Sequence, residues 1–309
     1  MRKILGVWVD TYPSGSTGDF FVPAFKNLGF ETKVIDLARQ DADSKILKEA
    51  LSGEYEFLFH VPYKNTVRPE IIRRISFDTK CTTIAWNGDD EWLFESEQSH
   101  NPSKICKNYN WNVTTHQDAV NKYKGVGCDR VILSQWGYPI NVWKSKKLKK
   151  DIDIYFCGSR TEKRDFCLRA IQDFGLTIKI DGYGYSKSKI SQEEMINNYR
   201  RAKIAMSFLM GESAHAKESY TQVKQRVFEV AALKTFQIAY HSNELSRFFT
   251  IGKDIETFTR IDGLIEKLKF YLENDKKREA MAENAFQKNK QYSYEKILKP
   301  VFEKVKSKS

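Results

Sequence analysis

Cysteine, proline and long apolar runs are all scarce in this sequence of 309 residues. The five cysteines are odd in number and widely spaced, with no Cys-x-x-Cys pair, which argues against a disulfide framework and against a zinc site. Seven prolines and a hydrophobic content of 41% argue against a disordered chain. No run approaches the ~20 consecutive apolar residues of a membrane span. These absences indicate an ordinary globular protein.

Acidic residues are outnumbered, since 40 of them face 51 lysines and arginines, and the formal net charge is +11. A positive excess favours anionic partners such as nucleic acid, an anionic membrane face or phosphorylated substrates, and it does not choose among them. The densest basic run spans residues 144–150. Such a run is typical either of a solvated linker or of a surface that meets an anion.

The first ten residues begin with Met-Arg-Lys and a short apolar run that ends at Asp10. The run is too short for a signal peptide, and Asp10 interrupts it before any small-residue cleavage site. We therefore predict a first buried strand and expect a cytoplasmic protein.

Short apolar runs alternate with helix-like segments along the whole chain. Strands are predicted at residues 4–9, 31–35, 57–61, 82–86, 111–115, 130–133, 153–157, 178–180, 203–208 and 236–240. Helices are predicted at residues 19–28, 43–51, 116–123, 163–174, 192–201, 225–233, 261–273, 276–292 and 295–304. Strands that alternate with helices predict parallel sheets covered on both faces.

The alternation restarts after the lysine run, which predicts an α/β fold of two Rossmann-like, doubly wound domains. We place the first domain at residues 1–140 and the second at residues 141–290. Residues 291–309 are predicted to form a C-terminal helix that packs back on the first domain. Open α/β sheets bind ligands at the carboxyl ends of their strands, so we expect the two domains to face a shared cleft.

Lys224, Arg226 and Glu229 lie at the start of one predicted helix. A helix N-terminus favours phosphate, and an arginine there can hold a diphosphate with two hydrogen bonds. Glu229 shares a helix face with Arg226, three residues away, and a carboxylate beside a diphosphate can accept ribose hydroxyls. The alternative is an amphipathic helix with a surface ion pair.

Several segments in order resemble the CgeB-like (spore-maturation-protein-like) glycosyltransferases, relatives of the retaining GT-B enzymes. They are residues 224–229 with their helix, 236–240, 245–258, the tryptophan and aspartate loop 86–94, residues 113–115, 132–136 and strand 151–158. The resemblance covers about residues 82–290 and implies a GT-B fold, a nucleotide-sugar donor and no resident cofactor.

The resemblance also implies roles for individual residues. Arg226 and Lys224 would take the diphosphate of a UDP-, GDP- or dTDP-sugar, and Glu229 the ribose. Retaining relatives carry a second glutamate eight residues before Glu229, where this chain has Thr221, so the sugar contact departs from the family pattern. Glu218 or Ser219 would be the substitutes.

Glycines mark three further candidate donor contacts. Gly158 and Arg160 follow the first strand of the second domain, where a glycine allows close approach of a phosphate. Gly184 belongs to a Gly-x-Gly segment that resembles the border of the base site, and Gly15 to a loop after the first strand. No Gly-Lys-Ser/Thr follows, so the loop is not a Walker loop. Ordinary turns remain the alternative for all three.

Asp89, Asp90 and His60 follow strands of the first domain and are candidate catalytic residues. Adjacent aspartates diverge, so Asp89 and Asp90 do not suit one metal ion, and we expect no metal site. The alternatives are a helix-capping aspartate and a structural histidine.

The sequence therefore predicts a metal-independent glycosyltransferase, retaining by the resemblance, that transfers a sugar to an acceptor hydroxyl. The acceptor would be a glycan, a cell-surface polymer or modified DNA, and the basic run would allow contact with an anionic membrane. The rival interpretation is a basic nucleic-acid-binding protein, although no interleaved basic and aromatic stripe supports it.

Overall fold

The computed structural model describes residues 2–9, 17–62, 66–94, 96–186, 190–211 and 220–307. Its described residues form two compact units. The first unit contains those up to Pro139 and from Tyr294 onward, and the second contains those between Ile140 and Ser293.

Six parallel strands form the sheet of the first unit. They are β1 (Arg2–Trp8), β2 (Phe30–Asp36), β3 (Phe57–His60), β4 (Thr82–Asn87), β5 (Trp111–Thr114) and β6 (Val131–Leu133), in the order β2-β1-β3-β4-β5-β6. Alternate residues of β1 enter opposite cores, Ile4 and Trp8 on one face and Leu5 and Val7 on the other. A strand buried on both faces explains the continuous apolar run at the start of the chain.

The helices of the first unit cover this sheet. They are α1 (Thr17–Asn27), α2 (Ala42–Leu51), α3 (Pro69–Asp78), α4 (Asp90–Leu93), α5 (Pro102–Ile105) and α6 (Ala119–Gly125). The sequence pattern leaves out α3, which begins at a proline in its first turn and buries Ile72 and Ile75. Proline suits that position because the first N–H groups of a helix have no helical partner.

Five parallel strands form the main sheet of the second unit. They are β7 (Ile152–Cys157), β8 (Ile178–Asp181), β9 (Ala202–Ser207), β12 (Gln237–Tyr240) and β13 (Glu256–Phe258), in the order β13-β12-β9-β7-β8. Two short strands, β10 (Met210–Gly211) and β11 (Tyr220–Thr221), pair with each other in antiparallel fashion.

The helices of the second unit are α7 (Glu162–Asp173), α8 (Gln192–Arg201), α9 (Gln225–Ala232), α10 (Ile261–Glu273) and α11 (Asp275–Asn289). Ser191 caps α8, since its side chain accepts a hydrogen bond from the N–H of Glu194 at 3.1 Å.

The last helix, α12 (Tyr294–Lys306), belongs to the first unit. Its apolar face packs into the same core as Phe25, Phe30 and Phe57, and each fully buried side chain of this size contributes about 1.5–3 kcal/mol. The buried members are Tyr294, Ile297, Leu298, Val301, Phe302 and Val305. No helix in the described part of the chain is long and apolar enough to cross a membrane.

Candidate functional site

The strand order of the second unit reverses between β7 and β9. The chain leaves β7 toward β8 on one side and returns to β9 on the other, so the loops after β7 and β9 diverge at this point. A crevice at such a switch point is where open α/β sheets bind ligands. Gly158 follows β7 directly, and α9 is the next α-helix that the structure describes after β9. One predicted donor segment therefore lies in the connection after β7, and the other in the connection after β9.

Arg226 and Glu229 form an ion pair in the first turns of α9. The guanidinium Nη1 lies 2.8 Å from the Glu229 Oε2, and the amide of Gln225 donates to Glu229 Oε1 at 2.7 Å. The Glu229 side chain is 5% exposed, whereas that of Arg226 is 29% exposed. The carboxylate is therefore fixed from both sides, and the guanidinium retains an exposed edge for an anion.

Two aromatic rings flank the Arg226 guanidinium. Its central carbon lies 5.2 Å from the ring centroid of Trp143 and 5.4 Å from that of Tyr199. The Tyr199 hydroxyl also accepts a hydrogen bond from the backbone N–H of Cys157 at 3.3 Å, at the end of β7. Cation–π contacts hold the cation in place without using its N–H donors. Trp143 and Tyr199 come from segments that are separate from α9 in the sequence, so no local sequence pattern marks them as neighbours of Arg226.

The Arg226–Glu229 pair places a guanidinium cation beside a buried carboxyl group, and each affects the pKa of the other. Burial alone would lower the pKa of Arg226, but the Glu229 carboxylate together with Tyr199, Cys157 and Tyr155 outweighs burial, and the pKa is raised. Burial raises the pKa of Glu229, against the opposing effects of Arg226 and Gln225. Arg226 therefore stays positively charged at every working pH.

Lys224 stands at the N-cap of α9 with extended backbone angles of φ −96° and ψ 161°. Its side chain makes no cap hydrogen bond, and its ammonium contacts the side-chain oxygen of Gln222. The first N–H groups of any helix lack helical acceptors and carry the positive end of the dipole. The start of α9 therefore combines three sources of positive charge: the Lys224 ammonium, the Arg226 guanidinium and the first N–H groups of the helix.

The predicted glycine segments pack against each other. The N–H of Gly158 donates to the Asp181 carbonyl at 3.0 Å, and the N–H of Arg160 donates to the Tyr183 carbonyl at 2.8 Å. Gly184 has φ +83°, and a Cβ there would lie 2.8 Å from the Cβ of Arg160. The positive φ and the close packing against Arg160 are enough to explain a glycine at position 184. Phosphate binding by Gly158 stays a prediction.

Arg160 makes an ion pair with Asp165, 2.6 Å between Nη2 and Oδ2, and this hydrogen bond raises the pKa of Arg160. Its guanidinium lies 5.8 Å from the ring centroid of Tyr185. Half of the Arg160 side chain remains exposed. The contact with Asp165 holds Arg160 against the first turn of α7. The role of Arg160 in donor binding stays a prediction.

The candidate residues of the first unit differ in exposure. Asp90 begins α4 and is fully buried beside Thr114 and Tyr123, whereas Asp89 is half-buried. Burial raises the pKa of Asp90 to about 7, against the lowering effect of the two neighbouring hydroxyls. Of the two carboxyl groups, that of Asp89 is the one that reaches solvent.

His60 ends β3 and is fully buried, with its Nδ1 2.6 Å from the Tyr109 hydroxyl. Burial lowers the pKa of His60 to about 3, so its ring is neutral at physiological pH. This environment favours a structural role for His60. Gly15, the remaining candidate, lies outside the described residues.

A pH-dependent stability follows from the burial of Asp90. Between about pH 4 and pH 7 the folded chain holds a proton that the unfolded chain has lost, so stability falls as pH rises through this window. Asp90→Asn removes that dependence and should raise the free energy of unfolding at pH 8 on the order of 2 kcal/mol. Thermal midpoints of variant and parent from pH 5 to pH 8 measure the difference.

The matched control is Asp89→Asn, which removes a half-buried carboxyl from the adjacent position. We expect Asp89→Asn to change the slope of the midpoint against pH much less than Asp90→Asn does, because the Asp89 charge is one of the smaller causes of the raised pKa of Asp90. Equal slopes for Asp90→Asn and the parent would contradict the account of Asp90.

Among the residues that the structure describes, no group of three or more His, Cys, Asp or Glu side chains could hold a metal ion.

Comparison with known proteins identifies the architecture. Residues 160–303 match the family model described as glycosyl transferase-like. A search of curated protein sequences found no significant match.

Solved structures resemble the whole chain. HepE of Anabaena in complex with UDP and glucose has a TM-score of 0.66 at 12% identity, over 99% of this chain and 100% of that one. Sucrose-phosphate synthase from Thermosynechococcus elongatus has a TM-score of 0.67 at 10% identity, over all of both chains. A glycosyltransferase from Rickettsia africae has a TM-score of 0.61 at 11% identity, over 99% and 98%.

The predicted fold class is confirmed by these likenesses, which at such identities show the fold alone. Membership of the CgeB-like subfamily stays a prediction. The chain has the two-sheet α/β fold of GT-B glycosyltransferases, and its residues 160–303 match the family model described as glycosyl transferase-like.

Proposed function

We propose that the protein transfers a sugar from a nucleotide-sugar donor to an acceptor hydroxyl. The observation that carries the proposal is the Arg226–Glu229 pair at the start of α9, in the connection that leaves the switch point of the second sheet. The glycosyl transferase-like match includes this pair. HepE, which shares the fold, was solved with UDP and with UDP-glucose, so UDP-sugars are the first donors to test.

The main chemical demand is to stabilise the departing nucleoside diphosphate. As the glycosidic bond breaks, negative charge grows on the diphosphate and positive charge on the sugar ring. Arg226, Lys224 and the helix N-terminus would stabilise the leaving group, because fixed charges act strongly at a partly buried site. These groups supply positive charge from the chain itself, which supports transfer without a metal ion.

Glu229 is the proposed acceptor for the ribose hydroxyls. Each of its carboxylate oxygens holds one protein contact and has a second lone pair for a ligand hydroxyl. The sugar contact expected eight residues earlier falls on Thr221, which is half-buried in β11. Its proposed substitutes, Glu218 and Ser219, lie outside the described residues.

Acceptor activation is assigned to the first unit as part of the proposal. Asp89 is the better candidate for a base, since it is half-exposed while Asp90 and His60 are fully buried. The acceptor would be a glycan, a cell-surface polymer or modified DNA. Retention of the anomeric configuration, cytoplasmic location and contact with an anionic membrane stay predictions. NMR of the product anomer tests the first of these.

The charge of +11 motivates the rival function of nucleic-acid binding. A thermal-shift titration with UDP, GDP, dTDP and duplex DNA separates the two. We expect at least one nucleotide to raise the melting temperature, with little dependence on salt. Shifts with DNA alone, lost steeply as salt increases, would favour nucleic-acid binding. The absence of any nucleotide shift would refute the donor site.

A further inference from the structure

A group of cavities lies in the second unit, between the N-terminal turns of α7 and α10. Its main cavity has a volume of about 730 Å³ and is lined by both helices and by the ends of β12 and β13. That volume lies within the range of small-molecule sites. The Arg226–Glu229 pair does not line this cavity.

Aromatic side chains give this cavity its apolar surface. Phe166 of α7 lines it with 68% of its surface exposed. Phe258 is buried, and its ring meets that of the half-buried Tyr240 edge to face at 5.4 Å. The exposed ring of Phe166 provides a flat platform for an apolar face of a ligand.

Two smaller cavities adjoin the main one and share lining residues with it. One of about 400 Å³ follows the outer face of α7 and shares Glu162 and Phe166 with the main cavity. The other, of about 360 Å³, follows the first turns of α10 and shares Arg260 and Asp262 with it. Together they form an open, elongated groove, which we name the α7–α10 groove. An elongated groove suits a chain-like ligand.

The charges along the α7–α10 groove nearly balance. Its lining contains five acidic and four basic side chains: Glu162, Asp165, Asp173, Asp262, Glu266, Lys163, Arg169, Arg260 and Lys267. Some of them pair, as Arg260 does with Asp262 at 3.2 Å. In a protein of net charge +11, this groove gives an anionic polymer no net attraction. Carboxylates and guanidinium groups do, however, accept from and donate to the hydroxyl groups of a neutral ligand.

We propose that the α7–α10 groove binds an uncharged oligosaccharide, with the apolar face of one sugar ring stacked on Phe166. A pyranose ring combines an apolar C–H face with peripheral hydroxyl groups, and the groove offers an aromatic platform with polar groups around it. The inference rests on the proposed function in one respect, since a glycan acceptor would be held by this groove while it is extended. Binding itself does not require the transfer reaction.

Calorimetric titration of the full chain with maltohexaose, cellohexaose and chitohexaose tests the proposal. We expect at least one to bind, and Phe166→Ala to weaken that binding about tenfold, the loss expected for one aromatic stack. The matched control is Phe174→Ala, which removes a phenylalanine of 56% exposure that lines none of the three cavities. Phe174→Ala should bind like the parent.

Two results would overturn the proposal: no binding of any of the three hexasaccharides, or equal affinity in Phe166→Ala. UDP titrated into the same samples reports separately on the donor site. Arg226→Ala should lose UDP and keep the oligosaccharide, so failure of the groove and failure of the donor site give different patterns.

Discussion

Arg226→Ala is expected to lower kcat/KM for sugar transfer about 100- to 1000-fold, the effect of removing one preorganised charge from a developing oxyanion. The substitution removes a guanidinium that Glu229, Trp143 and Tyr199 hold in place. UDP affinity should fall far more than uridine affinity, because only UDP carries the diphosphate. Steady-state kinetics and calorimetry with both ligands measure these changes.

The control for Arg226 is Arg201. Arg201 pairs with Asp151 at 2.8 Å, with side-chain exposures of 42% and 37%, where β7 and β9 begin. Arg201→Ala removes an arginine–carboxylate ion pair from the amino end of the second sheet, and we expect it to leave UDP affinity within about threefold of the parent. An Arg226→Ala variant that binds UDP like the parent would contradict the diphosphate assignment.

Glu229→Ala is expected to destabilise the second unit by about 3 kcal/mol, because it leaves the Arg226 cation partly buried without its partner. The same substitution should weaken UDP and uridine by similar factors, since both ligands carry the ribose. Urea denaturation gives the stability, and calorimetry gives the two affinities. Weaker UDP with unchanged uridine would contradict the ribose assignment.

The double variant Arg226→Ala/Glu229→Ala separates the structural effect from the functional one. Removing both charges leaves no buried ion unpaired, so it should be more stable than Glu229→Ala alone. Its UDP affinity should nevertheless stay as low as that of Arg226→Ala. A double variant less stable than either single variant would refute this account of the pair.

Sequence periodicity predicted the parallel sheets well, because each strand is a short apolar run buried on both faces, as in β1. It missed α3, where Pro69 interrupts the chain and only Ile72 and Ile75 are buried. Proline in a first turn starts a helix, whereas the same residue in a helix interior breaks it. Without a clear apolar stripe, the sequence does not distinguish the two positions.

The core of the candidate site was predictable because its parts are local. Arg226 and Glu229 are three residues apart, so helical geometry alone brings their side chains together. Trp143 and Tyr199 reach Arg226 only through the tertiary fold, and no local pattern marks them. The sequence therefore predicts the charged residues of the candidate site, and it does not predict the aromatic residues that hold them in place.

Burial separated residues that looked equivalent in the sequence. Asp89 and Asp90 are neighbours at a strand end, yet one is half-buried and the other fully buried beside Tyr123. Which of two adjacent side chains turns inward depends on the packing of α4 and α6, and the sequence pattern contains no measure of it.

Release of nucleoside diphosphate from a panel of UDP-, GDP- and dTDP-sugars is the most direct test of the central claim. We predict that at least one donor yields its diphosphate in the presence of EDTA, and that Arg226→Ala abolishes the signal while Arg201→Ala preserves it. Release that is equal in the parent and in Arg226→Ala, or no release from any donor, would contradict the claim that this chain transfers sugars through the Arg226–Glu229 site.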